Sequence, residues 1–108
     1  MSRAALTSTA NDTKWRELRQ AMLALPSRPS FRCKDLNGFY SGQDREWFYH
    51  FQEGGYDTLR YVDLLVEDDT QRAAVLKELK SIGMAGQVTE QGFRVYGYSE
   101  PGEHVEAF

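Results

Sequence analysis

The sequence predicts an α+β domain: two helices packed on one face of a four- or five-stranded, mostly antiparallel sheet, in the order α-β-β-β-α-β-β. Three observations predict it. Apolar residues recur at helical spacing in two stretches, one around Trp15–Leu25 and one around Val75–Ile82. Several short runs between and after them read as strands bounded by turn signals. The strands do not alternate one-for-one with helices, as a doubly wound sheet requires, so neighbouring strands are expected to run antiparallel.

Each element has its own warrant. Residues 1–10 are small and polar without periodicity and predict a disordered lead-in. Asn11-Asp12-Thr13 offers three helix caps, and Trp15, Leu18, Met22 and Leu25 form one stripe behind them. Pro26 stops that helix. Residues 31–36 alternate as a first strand, with Phe31 and Cys33 on one face and Arg32 and Lys34 on the other. Asn37-Gly38 is a turn signal. Residues 46–51, Glu-Trp-Phe-Tyr-His-Phe, hold four rings and a histidine and predict a strand near the middle of the sheet. Gly54-Gly55 breaks it. Residues 59–66 form the next strand, with Val62, Leu64 and Val66 inward and Tyr61 and Asp63 opposite. Asp68 caps the second helix with Gln71 three residues on, in the manner of a capping box, and Gly83 ends it. Strands at 86–89 and 93–98 follow. Residues 11–103 thus make a single domain, and 104–108 a short tail.

Composition sets bounds on function. The 108 residues suit one domain with a core of its own. One cysteine, Cys33, rules out an intrachain disulfide and a four-cysteine zinc site. With no signal-peptide run and no apolar stretch of membrane-spanning length, a cytoplasmic, non-membrane protein is expected. The net charge of −3 is unevenly spread: residues 1–34 carry +5, residues 35–69 carry −7 and residues 70–108 carry −1. The acidic middle argues against nucleic acid as a partner.

No catalytic motif is present, and no cofactor or metal is expected. His50 and His104 stand alone without ligand spacing, and Glu67-Asp68-Asp69 reads as a helix start rather than a calcium loop. Neither a phosphate-binding glycine loop nor a nucleophile elbow occurs. Cys33 and His50 make a nucleophile–base pair if the fold joins them, although Cys33 lies on an apolar strand face, where a small buried hydrophobe is the usual meaning.

The sheet face away from the helices carries more information. Alternation places Tyr61, Arg94, Tyr96 and Tyr98 there, with Arg32 and Lys34, and His50 joins them in one phase of the aromatic strand. Tyrosine and arginine are enriched at contact hot spots. The reading is a non-enzymatic protein-binding module, a regulator, adaptor or toxin-neutralising partner, acting or self-associating through Tyr96, Tyr98, Arg94, Tyr61 and His50. Half-solvated structural aromatics, a small-ligand or enzymatic site at Cys33 and His50, and single-stranded nucleic acid stacking on the rings are the alternatives.

Three phrases, Asn11–Arg19, Glu46–Phe51 and Arg94–Gly102, together resemble a small bacterial family of single-domain proteins of unknown function. The resemblance covers most of residues 11–103. It implies a bacterial cytoplasmic origin and no activity, cofactor or catalytic residue.

Overall fold

A computed structural model of the chain describes residues 6–47 and 58–108. The chain runs through β1 (Thr7–Ser8), α1 (Asp12–Ala24), β2 (Ser30–Asp35), β3 (Leu59–Leu65), α2 (Asp69–Ile82), β4 (Ala85–Val88), β5 (Gly92–Tyr96), β6 (Tyr98–Ser99) and β7 (Glu106–Ala107). One antiparallel sheet has the order β2-β3-β5-β4-β7, and a separate ladder joins β1 to β6. The two helices lie together on one face of the larger sheet, so the fold is α+β.

The helices begin and end where side-chain chemistry dictates. Asn11 Oδ1 accepts the Lys14 N–H at 2.9 Å. Asp68 Oδ1 accepts the Gln71 N–H at 2.8 Å, and Gln71 Oε1 reaches back to the Glu67 N–H at 2.7 Å. Two otherwise orphaned donors at this helix start are thereby satisfied. The nearly buried Gln71 also donates Nε2 to the Ser27 carbonyl, tying α2 to the exit of α1. Gly83 closes α2 at φ +84°, a left-handed conformation that costs glycine little.

The core forms between helices and sheet. Trp15, Leu18 and Met22 from α1 and Val75 and Leu79 from α2 meet Phe31, Val62, Leu64, Phe93 and Val95 from the strands. All ten are essentially excluded from solvent. Burying side chains of this size contributes roughly 1.5–3 kcal/mol each before chain entropy is counted.

Three regions differ from the sequence-based expectation. Thr7–Ser8 are a strand paired with Tyr98–Ser99 rather than part of an irregular lead-in. Glu106–Ala107 are a strand on the edge of β4 rather than a free tail. Glu46 and Trp47 are not in a strand, and 48–51, the rest of the aromatic run, lie outside the described residues. Trp47 is fully buried in the helix-side core, its ring 4.4 Å from that of Phe31 and its Nε1 donating to the Pro29 carbonyl at 2.9 Å. The loop before it runs along the outer edge of β2, where Lys34 pairs with Tyr40 and Phe31 with Asp44.

Candidate functional site

The face of the sheet opposite the helices is built by strand register. Arg32, Asp63, Arg94 and Gln87 lie in one row across β2, β3, β5 and β4. Lys34, Tyr61 and Tyr96 form the next. Alternation therefore placed Arg32, Lys34, Tyr61, Asp63, Arg94 and Tyr96 on their common face. One irregularity adds a member. Lys34 faces Tyr61 and Asp35 faces Leu59, so Arg60 is the extra residue of a β-bulge. The bulge turns Leu59 into the core. It also leaves the Arg60 guanidinium 5.3 Å from the Tyr61 ring centre and 5.8 Å from that of Tyr96.

Asp63 is the centre of the layer. Its side chain is only 10% exposed, so its charge needs partners. Arg94 supplies a two-pronged contact, Nε to Oδ1 at 2.8 Å and Nη2 to Oδ2 at 3.1 Å. The Tyr40 hydroxyl donates to Oδ2 as well. The hydrogen bond to Asp63 raises the Arg94 pKa, so this guanidinium stays charged throughout the accessible range. Burial, reinforced by the bond to Asp63, pushes the Tyr40 hydroxyl up to about 12.

The tyrosines do not form a wet surface. Tyr96 is 2% exposed and Tyr61 9%. The chain's own cations cover them: the Arg94 guanidinium sits 4.0 Å from the Tyr61 ring centre, and Arg60 flanks both rings. Arg60 is held there by Glu103 at 2.5 Å and Glu100 at 3.2 Å. Burial raises the Glu103 pKa, but the Glu100 N–H and then Arg60 outweigh it, and the net shift is downward. The Tyr96 hydroxyl accepts from Gln87 Nε2 at 3.2 Å. The expectation that Tyr61 and Tyr96 offer open ring faces is corrected accordingly. Stacking of nucleic acid bases would need those faces free.

The other expected site residues separate. Arg94 stays part-exposed, at 32%. Tyr98 is outside this sheet, because the strand is interrupted at Gly97 and resumes as β6 against β1. The Gly97 N–H donates to the Arg60 carbonyl at 2.8 Å across the bulge. His50 lies outside the described residues. Cys33, its suggested catalytic partner, is half-buried on the core side, and burial followed by Asp35, Asp44 and Asp63 pushes its thiol up to about 12. A thiol so held carries almost no thiolate at neutral pH. Among the described residues no group of three or more His, Cys, Asp or Glu is placed to hold a metal ion. No described helix is long and apolar enough to cross a membrane.

Sequence reasoning missed Phe39. It is 65% exposed, on a turn whose backbone is firmly held. The Asn37 side chain accepts the Phe39 N–H at 2.9 Å, the Phe39 carbonyl accepts the Asp35 N–H at 2.8 Å, and the Gly38 N–H donates to the Asp35 carbonyl at 3.0 Å. Beside it, Arg32 stacks 4.0 Å from the Tyr40 ring centre and donates Nε to the Ser41 carbonyl. Lys34 lies 5.9 Å from the same ring. Asn37-Gly38 announced the turn, but not that an aromatic ring would stand out from it. Asp63 was also missed as a site residue, although it carried a signal: a lone carboxylate between apolar neighbours in a strand demands a cation.

Neither a curated protein nor a solved structure matches the chain. A family model does match, over residues 1–102, and on that ground the chain belongs to the family of unknown function DUF6678.

Proposed function

We propose that this chain is a non-enzymatic protein-binding module that uses the outer sheet face at its β2 edge. The observation that carries the reading is Phe39, a largely exposed ring on a turn fixed by three hydrogen bonds. Presenting an aromatic on a pre-ordered backbone lowers the entropy lost on association. Rings of this kind are typical interface anchors. Next to it in sequence, the Tyr40 ring carries Arg32 and Lys34, which are engaged by that ring and a carbonyl rather than by a carboxylate among the described residues. The partner that fits is a protein surface with an apolar pocket and an acidic rim. Tyr61, Tyr96 and Asp63 form the rigid floor of this face, and Arg94 its part-exposed margin.

Affinity capture with quantitative mass spectrometry tests it. A partner retained by the native chain should be lost with Phe39→Ala and weakened by Lys34→Glu and by raised salt, with melting temperatures unchanged. Identical retention by native and Phe39→Ala chains would sink the proposal.

A further inference from the structure

The opposite edge of the sheet is closed by a short piece of chain. β7 contributes two ladder pairs to β4, Ala85 with Ala107 and Gly86 with Glu106. The Phe108 N–H donates to the Met84 carbonyl at 3.1 Å. The Phe108 ring meets Phe93 edge-on at 5.7 Å and lies over Gly86, where an added Cβ would come within 3.0 Å of it. Among the described residues β7 is held by little: two ladder pairs, the Phe108 N–H and one half-buried ring, while Glu106 and Ala107 are themselves exposed.

The edge is also incompletely covered. β4 continues past β7 to Gln87 and Val88, and Val88 is 65% exposed. It borders an open groove of about 560 Å³ whose other walls include Leu76, Lys80, His104 and Phe108. An uncovered strand edge beside apolar surface is a template for another strand.

We infer that β7 is an exchangeable strand: residues 106–108 of one copy add to β4 of a second copy, and the reverse, giving a two-fold dimer. The fit of this occupant is already visible, because every contact that β7 makes within its own chain would re-form between chains. The connection favours exchange. Arg60 fixes Glu103, so only His104 and Val105 link that anchor to β7. A short hinge of this kind invites swapping. This edge lies across the sheet from Phe39, so the inference is independent of the proposed partner surface.

Disulfide trapping tests it. Two single variants, Ala85→Cys and Ala107→Cys, are made in a Cys33→Ala background, mixed in denaturant, refolded together at high concentration and oxidised. Exchange yields a covalent heterodimer that is absent when Ala107→Cys is mixed with Lys77→Cys, an exposed position on α2. The double variant Ala85→Cys with Ala107→Cys, kept dilute, should close within the chain and so report that the pair can bond. A double variant that closes while the mixed copies give no heterodimer above the control overturns the inference. Sedimentation of the unmodified chain supplies a second readout: a dimer fraction rising from micromolar to millimolar concentration is expected, and a monomer throughout overturns it.

Discussion

The two faces of the sheet are both covered, but by different chemistry. On one face Trp15, Leu18, Met22, Val75 and Leu79 bury Phe31, Val62, Leu64, Phe93 and Val95 chiefly by apolar packing, with one guanidinium, that of Arg72, 5.4 Å from the Phe93 ring centre. On the other, Tyr61 and Tyr96 are buried by arginines, and those arginines are held by Asp63, Glu100 and Glu103. The first layer depends on shape and area. The second depends on keeping each charge matched. Removing one of its members therefore exposes a ring and also strands an ion, which makes the charged layer brittle in a way the apolar one is not.

The sharpest way to break that comparison is to remove a single member from each side. Leu64→Ala should cost about 2–5 kcal/mol in urea unfolding, through lost contact and a residual cavity. Arg94→Met should cost about 3 kcal/mol, although Arg94 is part-exposed, because Asp63 is left as a poorly solvated carboxylate. Adding Asp63→Leu to Arg94→Met should recover most of the loss, whereas no second deletion should rescue Leu64→Ala. If Arg94→Met is as stable as the native chain, the outer layer is decoration. Tyr40→Phe comes next. It deletes one hydrogen bond to a carboxylate that keeps both contacts from Arg94, so a loss of about 1–2 kcal/mol is expected.

Alkali sharpens the contrast without mutation. Tyr40 is raised from 10.0 to about 12 and Cys33 from 9.0 to about 12, burial being the first cause in both. The unfolded chain then loses these protons first. Stability should be full below pH 9, fall progressively as pH rises through the window to 12, and fall less in Tyr40→Phe. Denaturant titrations at successive pH values give the slope, and a flat profile contradicts the shifts. The smallest effect belongs to Phe39→Ala, within about 0.5 kcal/mol of native stability, since an exposed turn residue supports no packing.

Much of the fold was legible because period and punctuation act locally. The stripe of Trp15, Leu18 and Met22, the Asp68 cap and the Gly83 stop are each decided within a few residues. Strand alternation likewise put Arg32, Tyr61, Asp63, Arg94 and Tyr96 on a common face. Their exposure was not legible. It depends on Tyr40 arriving from a loop and on Glu103 arriving from beyond β6, and neither contact has a local signature. Trp47 misled for a related reason. A ring-rich stretch reads as strand by propensity, yet this indole fills the core from a turn, anchored on Pro29.

The extra residue at Arg60 carries a further consequence. It acts as a half-step in the strand's rhythm, so Leu59 and Tyr61, two positions apart, look in opposite directions. Excising Arg60 would restore an even beat and send the leucine to the wrong side, while withdrawing the cation from both phenol rings. Segment length at this point is thus as strictly specified as any side chain, and a one-residue deletion there should be harder to tolerate than most substitutions nearby.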